Sequence, residues 1–303
     1  MMVTILVSGL INVETTLLVD GFPVPYQPVR YPFHGVETTV SGVGYNVALA
    51  LATLGHDLRL LSLIGSDAAG QLVKTALAGV SLDASNVLDT LTATAQSVIL
   101  YDRRGRRAAN TDLKDIQDQA YPAARLAGTL PGADLAVLCN INFSRPFLQL
   151  AKAAGIPIAT DVHTIADLDD PYNQAFMAAA DILFMSDERL PCTPERWARQ
   201  VQERYATPIL VIGLGPAGAL LAVQEDGRLE RVPAVQTRPV VNTIGAGDAL
   251  FSAFVHGYLQ TGDPYAALHR AVVFASYKIG SKGGAAGFLT APDLETWCGR
   301  LAI

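Results

Sequence analysis

Residues 242–260 read NTIGAGDALFSAFVHGYLQ. Gly245 and Gly247 flank Ala246, and Asp248 follows at once. Leu250, Phe251, Phe254, Val255, Tyr258 and Leu259 then recur with helical period. The pattern predicts a glycine turn that opens directly into a helix. Such a start leaves backbone N–H groups without helical partners, and the aligned peptide dipoles add roughly half a positive charge there. Together these make an anion site, and phosphate is its usual occupant. A carboxylate at the rim of that site repels the guest. Asp248 is either a helix-start acid, stabilising the dipole by about 0.3–1 kcal/mol, or a base that takes a proton from a hydroxyl attacking phosphorus.

A second glycine turn leads into a helix at residues 41–55, SGVGYNVALALATLG, with Val47, Ala50, Leu51 and Leu54 on one stripe and Gly55 closing it. Val3–Gly9 reads as a central parallel strand. Leu58–Ile64, Ala133–Cys139, Pro157–Thr160, Ala180–Phe184 and Pro208–Ile212 read as further buried strands. Helical patterns over Ser66–Leu77, Phe147–Ala154 and Glu195–Tyr205 separate them. Strand and helix alternating at this spacing imply an α/β fold, a doubly wound and mostly parallel sheet, in a single domain spanning residues 1–303.

Two segments, about residues 12–40 and 93–111, break the alternation. Their β-rich stretches, Thr15–Val19, the region around Val29–Phe33, Glu37–Val40 and a hairpin over Ser97–Thr111, read as a small β-sheet lid. The arginines from Arg103 to Arg107 surround Gly105 and read first as a solvated hairpin tip, second as a grip on phosphate.

The chain has 303 residues, 17% charged, with net charge −6, which gives no electrostatic footprint for nucleic acid or an anionic membrane. Cys139, Cys192 and Cys298 are too scattered for a zinc site or a disulfide framework. The N-terminus lacks the basic start of a signal peptide, and the longest apolar region, Pro208–Val223, is broken by glycines and a proline. A cytoplasmic protein is expected.

Gly213, Gly215 and Gly218 match GxGxxG, which raises a dinucleotide-binding oxidoreductase as a rival. That fingerprint must open a helix. Here Ala219–Val223 is followed by an Asp-Gly turn and another strand pattern, so the rival loses. Asn12, Asn46 and Asn142 fall where strands end, the face on which such sheets bind ligands. Glu14 lies close behind. Asp161 and His163 end a strand as well and suit a capping role or a place near a metal.

The two glycine motifs and this order of elements resemble the ribokinase-like, or PfkB, carbohydrate kinases. SGVGYNVALALATLG resembles the N-terminal signature of that family and NTIGAGDALFSAF its C-terminal one, usually DTxGAGD. DILFMSDERL resembles the segment carrying an Asn-Glu pair, and VIGLGPAGALL the nucleotide-loop strand. The resemblance implies an ATP-dependent kinase acting on a primary alcohol of a sugar or a nucleoside, with Mg2+ bridging the phosphates and pairing of two subunits through the lid. Asp248 would be the catalytic base, and the N–H groups of Gly245, Ala246 and Gly247 the anion hole. Asn12, Glu14, Gly42 and Asn46 would contact substrate, with Asn142 a further candidate. Ser186, Gly213, Gly215, Gly218 and Gly247 would line the nucleotide. Asn242 and Ile244 fall where some members bind a monovalent cation.

The departures carry information too. Ser41 replaces the first glycine of the usual pair, and Val43 and Glu14 replace the lysine and aspartate of ribose-specific members, which argues against ribose itself. Ser186 and Asp187 replace the Asn-Glu pair. Asn242 replaces an aspartate, which removes a charge from the cation loop and speaks against activation by K+. A nucleoside acceptor would need an apolar wall, for which Tyr45, Phe33 and Tyr101 are candidates; a phosphosugar is a further alternative.

Overall fold

The computed structural model describes residues 3–80 and 82–303. In chain order, β1 (Thr4–Ser8), β2 (Asn12–Leu18) and β3 (Val36–Ser41) precede α1 (Val43–Thr53). Then come β4 (Asp57–Gly65), α2 (Ala68–Ala78), β5 (Val87–Leu91), β6 (Gln96–Tyr101), β7 (Arg107–Asp112) and α3 (Ala123–Thr129). Next are β8 (Leu135–Leu138), α4 (Arg145–Ala153), β9 (Ile158–Thr164), α5 (Gln174–Ala179), β10 (Ile182–Ser186) and α6 (Pro194–Tyr205). The chain closes with β11 (Ile209–Gly213), β12 (Ala219–Val223), β13 (Leu229–Val232), α7 (Ala246–Thr261), α8 (Pro264–Lys278) and α9 (Ala291–Leu301).

Among the described residues the strands form two sheets, one of nine strands in the order β13-β12-β11-β10-β9-β8-β1-β4-β5 and one of four in the order β3-β2-β6-β7. From β11 to β5 every pairing of the large sheet is parallel, and β12 and β13 add an antiparallel hairpin at one edge. The strand order reverses at β1, which has β4 on one side and β8 on the other. Ligands of such sheets bind at that switch point, outside the carboxyl ends of the strands.

Alternate side chains of β1 feed two cores, as the period of a strand requires. Ile5 and Val7 join α1, α2, α7, α8 and α9 on one face, while Leu6 joins α4, α5 and α6 on the other. Phe184 of β10 packs edge-on against Phe251 and Phe254 of α7, with ring centroids 4.9 and 5.3 Å away. Each such pair contributes about 0.5–1.5 kcal/mol beyond area burial. These rings fix α7 so that its first turn lies at the carboxyl end of the sheet. Among the described residues no helix is long and apolar enough to cross a membrane.

The small sheet matches the expected lid closely: its strands lie at residues 12–18, 36–41, 96–101 and 107–112. One expectation fails. Val29–Phe33 forms no strand, and Tyr31 and Phe33 stand exposed, stacked on each other at 6.4 Å. Their β-forming side chains have no neighbouring strand to pair with, and Pro28 and Pro32 remove the donors that a ladder needs.

Candidate active site

Four helices begin with a side-chain cap: Asp67 for α2, Thr193 for α6, Asp263 for α8 and Thr290 for α9. Helices α1 and α7 do not. They begin at Gly42 (φ 104°) and Gly245 (φ 73°), conformations that L side chains rarely adopt, and no side chain bonds their first amides. A Cβ on Gly42 would meet the Leu10 carbonyl oxygen at 2.5 Å, and one on Gly245 would meet the Gly284 carbonyl oxygen at 2.5 Å. These two glycine-led starts are drawn together at one point. Asn46 Nδ2 donates to Asp248 Oδ2 at 2.7 Å, and Ser41 Oγ donates to Asn46 Oδ1 at 3.3 Å.

The first turn of α7 is partly engaged. The Ala246 N–H donates to the Thr243 carbonyl in a tight turn, at 3.2 Å. Of the three amides expected in the anion hole, those of Gly245 and Gly247 therefore suit a ligand better than that of Ala246. Open space surrounds the Cα of Gly247 on its side-chain side. Burial raises the Asp248 carboxyl above its ordinary value; the Asn46 amide and the His163 and Lys278 charges pull it down, and Asp161 pushes it further up.

The lid supplies the opposite wall. Asn12, Glu14 and Thr16 alternate along β2 and are all buried. Asn12 pairs in register with Ser41 of β3, and Glu14 with Thr39. Asn12 Nδ2 donates to Ser97 Oγ of β6 at 2.6 Å. Yet Asn12 Oδ1, Glu14 Oε1 and Thr39 Oγ1 are buried without a hydrogen-bond partner among the described residues. A buried acceptor without a donor is costly unless a ligand completes it. Desolvation also raises the Glu14 carboxyl, partly offset by Ser41, Lys278 and the Gly284 backbone.

Asn142 is engaged elsewhere. Its Nδ2 donates to the Gln117 carbonyl at 2.8 Å and its Oδ1 accepts from Arg145 Nε at 2.9 Å, so the amide ties the 114–118 turn to the start of α4. The strand-end position was right, but neighbouring groups already use both ends of the side chain. Tyr45, a candidate wall for a base, is buried in the core instead.

On the other side, Ser186 ends β10 and its Oγ accepts from the Glu188 N–H at 3.3 Å. Gly213 ends β11, Gly215 opens a one-turn 3₁₀ helix, and Gly218 enters β12. The glycines thus lead into a hairpin, which disposes of the dinucleotide fingerprint. Asn242 Oδ1 accepts from the Ile244 N–H at 3.1 Å.

Lys278 escaped the sequence reading, while Arg107 and Asp161 carried two readings each. Arg107, at the lid's hairpin tip, donates through Nη1 to the Thr243 carbonyl at 2.9 Å and comes within 3.9 Å of Glu188. Asp161 is buried, its charge raises the Asp248 carboxyl, and it caps no helix. Lys278 is fully buried and donates to the carbonyl oxygens of Ile244 and, at 2.6 Å, Gly283. A lone lysine within the apolar run AVVFASYKIG was the available signal for it.

Among the described residues no three His, Cys, Asp or Glu side chains gather into a metal-binding group. Mg2+ asks for less, one or two carboxylates beside phosphate oxygens and waters. Asp161 lies on β9, and Asp187 directly follows the adjacent β10.

The site thus joins an uncapped, glycine-led helix start, a part-buried carboxylate and a polar lid. A family model described as pfkB family carbohydrate kinase matches residues 2–291. The acarbose 7(IV)-phosphotransferase of an Actinoplanes species is 29% identical over 264 residues, 86% of each chain. The ATP-dependent ribose-1-phosphate kinase of Halopiger xanaduensis is 28% identical over 93% of this chain and 94% of its own. The solved structure of a microbiome-derived acarbose kinase superposes with TM-score 0.87 at 25% identity, covering 99% of both chains. Motifs, fold and relatives agree: this chain is a kinase belonging to the pfkB family of carbohydrate kinases.

Proposed function

We propose that the protein transfers the γ-phosphoryl group of ATP to a primary hydroxyl of a sugar, with Asp248 as catalytic base. The observation that carries this reading is the Asn46–Asp248 hydrogen bond at the open start of α7, across from buried, unpartnered oxygens of Asn12 and Glu14. Asn46 holds Oδ2 of Asp248 and leaves Oδ1 for the acceptor. The acceptor oxygen forms a bond to Pγ as its proton passes to Asp248. The bond from Pγ to the β,γ-bridging oxygen breaks, and ADP leaves with that electron pair. The amides of Gly245 and Gly247 meet the charge on the migrating phosphoryl group, where preorganised donors stabilise a transition state most. Gly42, Asn12, Glu14 and Asn46 hold the sugar hydroxyls; Ser186, Gly213, Gly215 and Gly218 line the nucleotide. Mg2+, held through Asp161 and Asp187 with the phosphates, would supply neutralisation of their charge.

The polar lid face favours a sugar over a nucleoside, and the relatives named for acarbose widen the acceptor class to sugars larger than a monosaccharide. The exposed Tyr31–Phe33 stack and Tyr26 on the loop between β2 and β3 suit a homodimer through the lid. Cys139, Cys192 and Cys298 are all free thiols, which suits the cytoplasm. An ADP-release screen over pentoses, hexoses, ketoses, acarbose, phosphosugars and nucleosides tests the acceptor. Turnover on unphosphorylated sugars is expected; turnover confined to nucleosides or phosphosugars overturns that choice.

A further inference from the structure

Lys278 poses a physical problem. Its ammonium is fully buried at the end of α8, close to the start of α7. A helix start carries positive potential, so a cation there is badly placed for the dipole. Burying it also removes the water of a strongly hydrated charge. Burial lowers the ammonium to about 8, and a ring of oxygens offsets part of that cost. Nζ donates to the Ile244 and Gly283 carbonyls, and the carboxylates of Asp248 and Glu14 both favour its charge. Carbonyl oxygens gathered around a buried positive centre are also what an alkali cation takes.

The two carbonyls are not arbitrary. In a trans peptide the C=O and the following N–H point in opposite directions. Holding the Ile244 oxygen turns the Gly245 N–H away from Lys278, toward the open start of α7. Holding the Gly283 oxygen does the same for the Gly284 N–H, whose backbone interacts with the Glu14 carboxylate. Gly245 and Gly284 are themselves in close contact, as a Cβ on the first would meet the carbonyl oxygen of the second. One ammonium therefore sets two amides, one for the phosphoryl group and one for the lid.

Resting on the kinase reading above, we propose that the Lys278 ammonium is the resident monovalent cation of this site: seated on the Ile244 and Gly283 oxygens, it orients the Gly245 and Gly284 amides and makes an external alkali ion unnecessary. Lys278 is a positioning residue; it acts through those peptides. Asn242, whose Oδ1 is bonded to the Ile244 N–H, belongs to the same loop and needs no ion to complete it.

The test compares KCl with choline chloride at equal ionic strength, using two readouts: sugar turnover and the midpoint of thermal unfolding. For the wild type both are expected to agree between the salts, turnover to within about twofold. Lys278→Ala empties the seat. Its turnover in choline chloride is expected to fall on the order of 100-fold, the loss typical of one misplaced transition-state donor. KCl or NH4Cl should restore at least a tenth of it, saturably, and raise the unfolding midpoint of the variant alone. Stimulation of the wild type by K+ of about tenfold or more overturns the proposal. So does a Lys278→Ala enzyme of normal rate in choline chloride, or one that no monovalent cation rescues. If Lys278→Ala does not fold, the wild-type comparison decides. If the wild type phosphorylates no sugar, the sugar-acceptor reading fails, and the unfolding midpoints still test the cation seat.

Discussion

Asn46 and Asp248 lie 202 residues apart in sequence and meet at 2.7 Å, Nδ2 to Oδ2, where two glycine-led helices converge. This bond joins the two motifs that the sequence presents separately. It also tunes the base, because an amide donating to a carboxylate favours the charged form. Asn46→Ala should lower kcat roughly 10- to 100-fold and move the acid limb of the pH–rate profile to higher pH. An unshifted limb would remove Asn46 from any role in tuning Asp248.

Asp248→Asn should separate activity from stability. Turnover is expected to fall by about 10²–10⁴, the usual contribution of a positioned base. Stability should move the other way. Burial holds the folded carboxyl above its ordinary value, so the folded state keeps a proton that the unfolded chain has already released. The contribution of this group is therefore fully present below the unfolded value of about 4 and lost as pH rises through the folded one. The variant should melt higher than wild type at pH 8, with the gain vanishing toward pH 4. Thermal unfolding across that range measures it, and an equal deficit at both ends would contradict the sign.

Glu14→Gln tests the lid. Its Oε1 is buried and waits for a donor. A charged hydrogen bond lost to a neutral amide costs about 1.5–3 kcal/mol, so KM for the sugar should rise roughly 10- to 150-fold. KM for ATP should stay within about twofold. A parallel rise in both would place Glu14 in general architecture and not against the acceptor.

Arg107 links the lid to the loop before α7 through Thr243. A lid that closes excludes water from the transferring phosphate. Arg107→Ala should therefore raise the ratio of ATP hydrolysed to sugar phosphorylated, read by comparing ADP with sugar phosphate formed. An unchanged ratio would return this arginine to the role of a solvated hairpin tip.

The fold was legible because its signals are local. Short apolar runs, helical stripes and glycine turns placed the strands from β1 to β11, except β5, and the hairpin that follows to within a few residues. Val29–Phe33 misled because β-forming residues make a strand only with a partner, and partners are non-local. β5 escaped for the related reason that Val87–Leu91, VLDTL, carries little pattern before it joins β4. The structure brings together the residues that the two motifs carry, Gly42 and Gly245 at the helix starts and Asn46 bonded to Asp248. Asn142 failed because a strand-end position does not reveal whether an amide already has partners; here Gln117 and Arg145 take both ends. The contacts of Lys278 come from burial and distance, which no spacing of letters encodes.

The most direct test follows the phosphorus. Wild type and Asp248→Asn, each given γ-³²P-ATP and the best sugar acceptor, should differ in one product. Wild type is expected to place the label on the sugar's primary hydroxyl, and the variant to place at least about 100-fold less there per unit time. Label released only as inorganic phosphate, or sugar phosphate formed equally fast by both proteins, would contradict the account.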